Sequence, residues 1–331
     1  MEKTDRTYIA WGLDDGAHEA RGLKPMLTPE EQVELLKAKG VTFERCDEQK
    51  AIEALTRRDT FLHIASYRKL FQVHQKGANK GKYVRLDFAD LLDLNSLDDE
   101  LRCSFLSTAC DIERMAKTAL VARIAGSDED GYRIVADFME SQQRRYRKMI
   151  VGNLKTRVES DVYAGELIAK YGEAMPVWVL LEVSPLGTLL AFYLFCAERW
   201  DDEPMRQEHY ALKGVKAVRN CCAHGSCIIN GLKDEARTSP GISSIVYDWL
   251  DETGVPKGKG RRSKLRNGRI QQLTETLAMF DRMGCRPTSE ESIVRLSGLR
   301  ERLDDACGRY GDQNAFVSYL GFLSRLIDKA V

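Results

Sequence analysis

The stretch Asp98–Ile124, DDELRCSFLSTACDIERMAKTALVARI, has a strongly helical pattern. Its apolar residues are spaced so that they fall on one side of an α-helix. These residues are Leu101, Phe105, Ile112, Met115, Ala119 and Leu120. The three acidic residues at its start suit the positive end of a helix dipole, so we expect the helix to begin at Asp98. The stretch therefore predicts a long amphipathic helix.

Helical patterns continue on both sides of this stretch. Near the N-terminus, Thr28, Pro29 and Glu31 have the spacing of a helix cap, and Gly40 is a C-terminal stop. Further helices are predicted near Asp47 and Asp87 and over Phe61–Phe71, Tyr132–Lys148, Asp161–Tyr171, Val177–Arg199, Pro204–Ala223, Ser243–Asp251, Arg269–Met283, Glu290–Cys307 and Asn314–Lys329. No run alternates with the period of two that marks a strand, and no solenoid repeat appears. The predicted fold class is all-α.

Composition excludes several classes of protein. The chain has 331 residues, of which 43% are hydrophobic and 30% charged, so it is not disordered throughout. Its 50 basic residues balance 50 acidic ones, which excludes a protein that coats nucleic acid through its overall field. At about 100–200 residues per domain, the length fits one large domain or two modest ones.

The sequence predicts a cytoplasmic protein. Its nine cysteines are odd in number and irregularly spaced, which favours reduced thiols over a disulfide framework. Residues 1–6 lack the apolar core of a secretory signal. The segment Met175–Ala197 is long enough to span a membrane, but it contains Glu182 near its middle and the helix-breaking pair Ser184-Pro185. We therefore expect a buried helix that bends or breaks at Pro185, and no membrane span.

Positive charge is concentrated in two clusters that we predict to bind RNA. The first, called here the 257–269 cluster, occurs among glycines without an acidic residue and is expected to be a flexible loop. It contains Lys257, Lys259, Arg261, Arg262, Lys264, Arg266 and Arg269. The second, the 144–148 cluster, contains Arg144, Arg145, Arg147 and Lys148 around Tyr146. Each cluster is also explained by an ordinary solvated surface.

Most catalytic signatures are missing, and no metal or other cofactor is expected. The chain has no phosphate-binding GxxxxGK[ST] loop, no GxSxG and no HExxH. The segment Cys222-Ala-His224-Gly-Ser-Cys227 offers three ligands for zinc, but no second cluster supplies a fourth at suitable spacing.

The segment Arg219-Asn220-Cys221-Cys222-Ala223-His224 holds the candidate catalytic residues. Asn220 and His224 are four apart and share a helix face, whereas Arg219 is about 140° from His224 at roughly 100° per residue. Arginine binds phosphate and histidine moves protons near neutral pH, so the set suits cleavage of RNA by its own 2′-hydroxyl. Taken alone, the pattern also fits a capped helix end without any activity.

Several segments in the same order resemble the Abi-like family, the AbiD/AbiF group of abortive-infection proteins within the HEPN superfamily of helical ribonucleases. The segment 219–224 is close to the family's RNxCAH motif, and Asn230 falls where the family has a downstream asparagine. Residues 176–182 followed by 187–189, and residues 23–40, match two more of its motifs. Asp99–Arg102 followed by Ile112-Glu113 resembles its central helix. The chain departs from the family at Gly225 and Cys227, where a second histidine and an arginine are usual, and in the altered stretch Phe61–Phe71.

The resemblance implies a HEPN-type helical bundle with helical extensions on both sides. We expect an N-terminal region over 1–95, the HEPN-like core over 96–235 and a C-terminal region over 236–331. It also implies a homodimer whose site forms where two cores meet, and metal-independent RNA cleavage used as a toxin against phage-infected cells. The resemblance assigns catalysis to Arg219, Asn220 and His224, with support from Asn230 and Glu182. For Glu182, a structural role as the buried partner of Arg219 is favoured over a direct role in the active site.

Two other functions remain open. A degenerate protein of this kind would bind a structured RNA without cutting it, which the 257–269 cluster and the altered positions after His224 favour. A helical adaptor would act through protein partners alone.

Overall fold

The computed structural model describes residues 25–172, 174–233, 241–311 and 314–331. Within these ranges the chain is 72% helical, with 15 α-helices and no strand, which confirms the all-α fold class. The described residues do not include the first two residues of the N-terminal motif or the domain boundary expected at 235. The domain boundary expected at 95 falls inside a helix. The helices are α1 Pro29–Ala38, α2 Glu48–Arg57, α3 Phe61–Ile64, α4 Phe88–Ala125, α5 Arg133–Ser141, α6 Arg144–Ser160, α7 Gly165–Tyr171, α8 Val177–Val183, α9 Leu186–Arg199, α10 Glu203–Ala223, α11 Ser244–Glu252, α12 Lys259–Leu265, α13 Gly268–Arg282, α14 Glu290–Tyr310 and α15 Val317–Ala330.

The described residues divide into two compact units. The first contains residues 25–65 and 73–89. Its helix α1 begins with the expected capping box, in which Thr28 Oγ1 accepts from Glu31 N and the Glu31 carboxylate accepts from Thr28 N. In the same unit, the Asp87 carboxylate accepts from the Thr42 hydroxyl at 2.9 Å and from Glu44 N at 2.8 Å. Local capping therefore stabilises the start of α1, and one buried carboxylate holds the segment around Thr42.

The second unit contains residues 66–72 and the described residues from 90 onward. Here α10 packs on α9 and α13, and α14 packs on α15. Helix α4 runs antiparallel to α10, because Asp98 bonds to the segment just after α10 while Arg123 Nη1 donates to Asp202 Oδ2, just before α10, at 2.6 Å. This pairing brings the C-terminal end of α10 against the N-terminal half of α4.

The apolar segment 175–197 breaks where the sequence indicates. Helix α8 ends at Val183, Pro185 caps α9, and most side chains on both helices are buried. Among the described helices, none is both long enough and apolar enough to cross a membrane.

Several helix boundaries differ from the prediction, and the predicted helix over Phe61–Phe71 is α-helical only over Phe61–Ile64. Helix α4 begins at Phe88 rather than at Asp98, so Asp98 lies inside the helix, where it is completely buried. The predicted helix over Tyr132–Lys148 is two helices, α5 and α6, that are separated at Gln142 and Gln143. Periodicity identified the helical segments but could not show where one segment joins or leaves the next.

Candidate active site

The motif 219–224 forms the last turn of α10 and its cap. The helix begins with Asp202 as N-cap, whose carboxylate accepts from Met205 N at 2.9 Å. It ends at Ala223, where His224 is the C-cap and donates its backbone N–H to Asn220 O at 3.0 Å. Gly225 follows with φ +66°, a left-handed conformation that glycine adopts without steric cost. The sequence therefore places the His224 side chain at an exposed helix end.

Arg219 and Asn220 are in direct contact. Arg219 Nη1 donates to Asn220 Oδ1 at 3.3 Å, and both residues are half-buried. Arg219 Nε is buried and has no hydrogen-bond partner among the described residues. Within the described ranges, no hydrogen bond joins the side chains of Asn220 and His224. The amide instead orients the arginine, while the imidazole extends into solvent.

The charge of Arg219 acts on a residue of helix α4. Burial raises the pKa of the Cys110 thiol, and the nearby positive charge of Arg219 partly offsets that increase. Cys110, Glu113 and Lys117 lie along one stripe of α4, and Lys117 Nζ is 3.1 Å from Glu113 Oε1. The sequence did not predict a role for Cys110 or Lys117, because no local motif connects them with α10.

The segment after His224 is fastened to α4 by a buried carboxylate. Asp98 accepts from the backbone N–H groups of Ile228 at 2.9 Å and Ile229 at 3.0 Å. It also accepts from the Tyr67 hydroxyl at 2.8 Å and from Arg102 Nη1 at 3.2 Å. Burial raises the pKa of the Asp98 carboxyl, whereas these donors oppose that rise. This network holds the exit from the helix end in one position.

Asn230 has a structural contact in this segment. Its Oδ1 accepts from Arg269 Nη1 at 2.5 Å, and the same nitrogen donates to the carbonyls of Cys227 at 2.8 Å and Ile228 at 2.6 Å. Arg269 therefore bonds to the backbone of the segment that follows the motif. These bonds occupy its guanidinium, which the sequence predicts to contact phosphate.

Glu182 differs from the favoured prediction. It is exposed on α8 and forms no ion pair with Arg219 or any other described residue, so it is not a buried partner of that arginine. It lines a groove with Lys117 of α4. Lys216 of α10 lies beside Gly187 of α9, where a Cβ would be 3.0 Å from Lys216 Nζ. Lys216 is one helical turn before Asn220, and no pattern in the sequence pointed to it.

The 257–269 cluster is not a flexible loop, because residues 259–265 form α12. Arg261 is only 8% exposed and its Nη1 lies 2.7 Å from Asp251 Oδ1, while Lys257 pairs with the other oxygen of Asp251 at 2.7 Å. Lys264 lies over the Tyr319 ring. The arrangement leaves Lys259, Arg262 and Arg266 exposed without a described carboxylate partner.

The 144–148 cluster is exposed in the first turns of α6. None of its four cations forms an ion pair with a described carboxylate, and four positive charges at a helix N-terminus oppose the helix dipole. Beside α6 lies an apolar cavity of about 900 Å³ whose walls come from α5, α6, α7 and α8. The cluster therefore carries uncompensated positive charge.

The segment 222–227 does not gather its three metal-binding side chains. Cys222 is buried in α10, His224 is exposed, and the Cys227 thiol accepts from the Ser66 hydroxyl at 3.4 Å. Over the part of the chain that the structure describes, no three His, Cys, Asp or Glu side chains lie close enough to hold a metal ion.

Comparison with known proteins connects this site with one family. A family model described as Abi-like protein matches residues 54–230, which is more than half of the chain. The match contains all of α4, the groove residues of α8 and the motif at the end of α10. Searches of the curated proteins and of the solved structures found no match. The chain therefore belongs to the Abi-like protein family, a membership that indicates abortive-infection defence.

Proposed function

We propose that the chain is a metal-independent endoribonuclease of the HEPN type that acts as a toxin in abortive-infection defence. One observation carries this proposal: Arg219, oriented by Asn220, lies five residues before an exposed histidine at the end of the same helix. No described carboxylate pairs with Arg219, so its charge is available for a phosphate. The family match, which covers the motif, makes a chance pattern a poorer explanation.

The chemistry needs only groups that the RNA and these residues supply. A 2′-hydroxyl oxygen forms a bond to the adjacent phosphorus while the bond from phosphorus to the 5′-oxygen breaks. A histidine accepts the proton from the 2′-hydroxyl, and a histidine acting as acid supplies a proton to the leaving 5′-oxygen. Arg219 stabilises the negative charge that develops on the phosphoryl oxygens. The products are a 2′,3′-cyclic phosphate and a 5′-hydroxyl.

A homodimer would complete this site. Each chain supplies one His224, while the reaction uses a base and an acid. A two-fold axis beside the exposed ends of α10 would bring two histidines and two arginines to one phosphate. Asp98 and Arg269 bond to the segment that follows His224 on its buried side. The exposed side of His224 therefore remains available for a second copy of the chain.

The test is RNA cleavage by the purified full chain in the presence of EDTA. We expect cleavage by the wild type and a loss of about 10²–10⁴-fold for His224→Ala, the usual contribution of a general acid or base. Ser226→Ala is the matched control, since Ser226 is exposed two residues away and its side chain makes no hydrogen bond to a described residue. Arg219→Lys keeps the charge but loses the bidentate fork, so cleavage should also fall. Equal cleavage by the wild type and a folded His224→Ala variant would contradict the assignment.

The 144–148 cluster supports a second candidate, a protein that binds structured RNA without cutting it. Its four exposed and unpaired cations have the character of a phosphate-binding surface. In a filter-binding salt series, neutralising all four should reduce the slope of log K against log salt by about 0.7–0.9 for each phosphate that the cluster neutralises in the wild type. Binding with this behaviour and without any product would favour the second candidate. A chain that neither binds nor cuts RNA would favour a protein adaptor.

A further inference from the structure

A groove of about 360 Å³ lies between α4 and α8. Helix α4 contributes Lys117, Thr118 and two small apolar side chains, and α8 contributes Trp178, Leu181 and Glu182. Its volume is at the lower end of the roughly 300–1,000 Å³ of small-molecule sites, which suits a single nucleobase with its ribose.

The groove lies close to the proposed catalytic motif. Arg219 is close enough to Cys110 of α4 for its charge to lower the pKa of that thiol, and Lys117 lies seven residues beyond Cys110 on the same stripe, about 10 Å along the helix axis at 1.5 Å per residue. Lys216 of α10 lies beside Gly187 in the first turn of α9, five residues after Glu182. Both the groove and the motif therefore lie along α4, and the inference requires one single strand of RNA to place a phosphate at Arg219 and a base in the groove.

The groove offers an aromatic surface beside apolar walls. Trp178 is 48% exposed, although its ring packs against Gly131 and meets Tyr132 edge-on at 5.8 Å between centroids. A large aromatic side chain that is held by neighbours and still half exposed is suited to stack on an unpaired base.

The polar groups of the groove determine which base fits. Glu182 is exposed and unpaired with any described residue, so its carboxylate accepts hydrogen bonds. Lys117 donates and already interacts with Glu113. The Thr118 hydroxyl donates to Arg114 O, which leaves its oxygen as an acceptor. The groove therefore presents acceptors at Glu182 and Thr118 and a donor at Lys117.

We propose that this groove binds an unpaired guanine base of the RNA whose phosphate is cleaved at Arg219 and His224. Guanine presents two adjacent donors, N1–H and N2–H₂, that match a carboxylate, and its O6 and N7 acceptors match an ammonium. Uracil would place carbonyl oxygens near Glu182, adenine has no adjacent pair of donors, and cytosine offers a single amine. Glu182 thereby determines specificity, while Trp178 supplies stacking. The inference rests on the proposed ribonuclease function.

The experiment separates base recognition from cleavage. Fluorescence anisotropy measures binding of the full chain to labelled hexauridylate and to the same oligonucleotide with one guanosine, both fully 2′-O-methylated so that no 2′-hydroxyl can attack. We expect the guanosine oligonucleotide to bind at least about tenfold more tightly, the usual effect of one bidentate base contact. Glu182→Gln should reduce that ratio to less than about threefold, since an amide accepts only one of the two donors well. Glu198→Gln, an exposed glutamate on α9, is the control and should keep the ratio.

The remaining variants distinguish stacking from folding. Trp178→Ala should weaken binding of both oligonucleotides, whereas Trp178→Phe keeps a ring and should restore most of it. Circular dichroism reports whether each variant is folded. An equal affinity for the two oligonucleotides, or an unchanged ratio in folded Glu182→Gln, overturns the inference.

Cleavage of unmodified RNA by the wild type then distinguishes the two proposals. Cleavage without enrichment of guanosine near the cut sites leaves the ribonuclease proposal intact and overturns the guanine groove. Selective binding of the guanosine oligonucleotide without any cleavage supports the groove and refutes the proposed activity. Failure of both binding and cleavage refutes both.

Discussion

Replacing the buried Glu275 with glutamine should change how stability depends on pH. Glu275 lies on α13 and is only 6% exposed, next to Gly214 of α10. Burial raises the pKa of its carboxyl to about 7, although Gln271 Nε2 donates to it at 3.2 Å. Glutamine has nearly the same shape and remains neutral at every pH, so Glu275→Gln imitates the protonated form.

The direction and size of the change in stability follow from the pKa of Glu275 in the folded chain and in the unfolded chain. An unfolded glutamate titrates near 4.5, so between pH 4.5 and 7 the unfolded chain releases a proton that the folded chain retains. The free energy of unfolding therefore falls as the pH rises through this window and changes no further once both states are ionised. A difference of about 2.5 pKa units at about 1.36 kcal/mol per unit gives a loss of about 3 kcal/mol. Relative to the wild type, Glu275→Gln should gain about 3 kcal/mol between pH 4.5 and 8.

Urea unfolding at half-unit steps from pH 4.5 to 8 measures this difference. Groups common to both proteins, such as the buried His209, cancel in the comparison. Glu291→Gln is the control, because Glu291 is exposed on α14 beside Arg295 and its removal should give a nearly flat difference. A difference between Glu275→Gln and wild type that stays constant within about 0.5 kcal/mol would refute the reasoning, because the carboxylate would then be ionised in the folded state at no cost.

Two further predictions concern the packing of α10 and the basic clusters. Gly214→Ala should destabilise the protein by about 1–3 kcal/mol in urea unfolding, because the new Cβ would overlap the Glu275 carboxylate and lie 2.8 Å from Glu275 Cδ. Gly187→Ala should cost little stability, because its Cβ would meet only the flexible end of a lysine side chain. Equal losses for the two glycine variants would contradict this account. Arg261→Gln should lower the stability of the fold without altering the salt dependence of RNA binding. Arg147→Gln should instead lower the slope of log K against log salt by about 0.7–0.9 and leave stability nearly unchanged. The opposite pattern in the two arginine variants would show that the buried arginine, rather than the exposed one, contacts RNA.

Local signals predicted much of the fold. The capping box at Thr28, the break at Pro185 and the helix ending at Gly225 each depend on residues a few positions apart, and the structure confirms all three. The candidate motif was likewise visible because Arg219, Asn220 and His224 belong to one helical segment. Interactions within about one helical turn are the ones that a single sequence reveals.

Longer-range partners could not be predicted in the same way. The 257–269 cluster contains no acidic residue, but Asp251 pairs with Lys257 and Arg261 from the preceding helix. Asp98 resembled a helix start because acidic residues favour that position, whereas its donors at Tyr67 and Ile228 lie 31 and 130 residues away. Glu182 is exposed because α8 buries its other sides, a fact that depends on tertiary packing. Charge in a sequence window therefore does not report which charges are compensated in the folded chain.

The buried carboxylate of Asp98 has a consequence for the motion of the exposed helix end. The Asp98 carboxylate is fully buried and accepts hydrogen bonds from the amides of Ile228 and Ile229. Those amides can therefore exchange their hydrogens with solvent only when the interior of the second unit opens. The turn that carries His224 is consequently exposed on its outer side and anchored on its inner side. Its backbone should keep its place on the timescale of loop fluctuations, so that a phosphate would meet a preformed surface rather than one that has to be ordered on arrival.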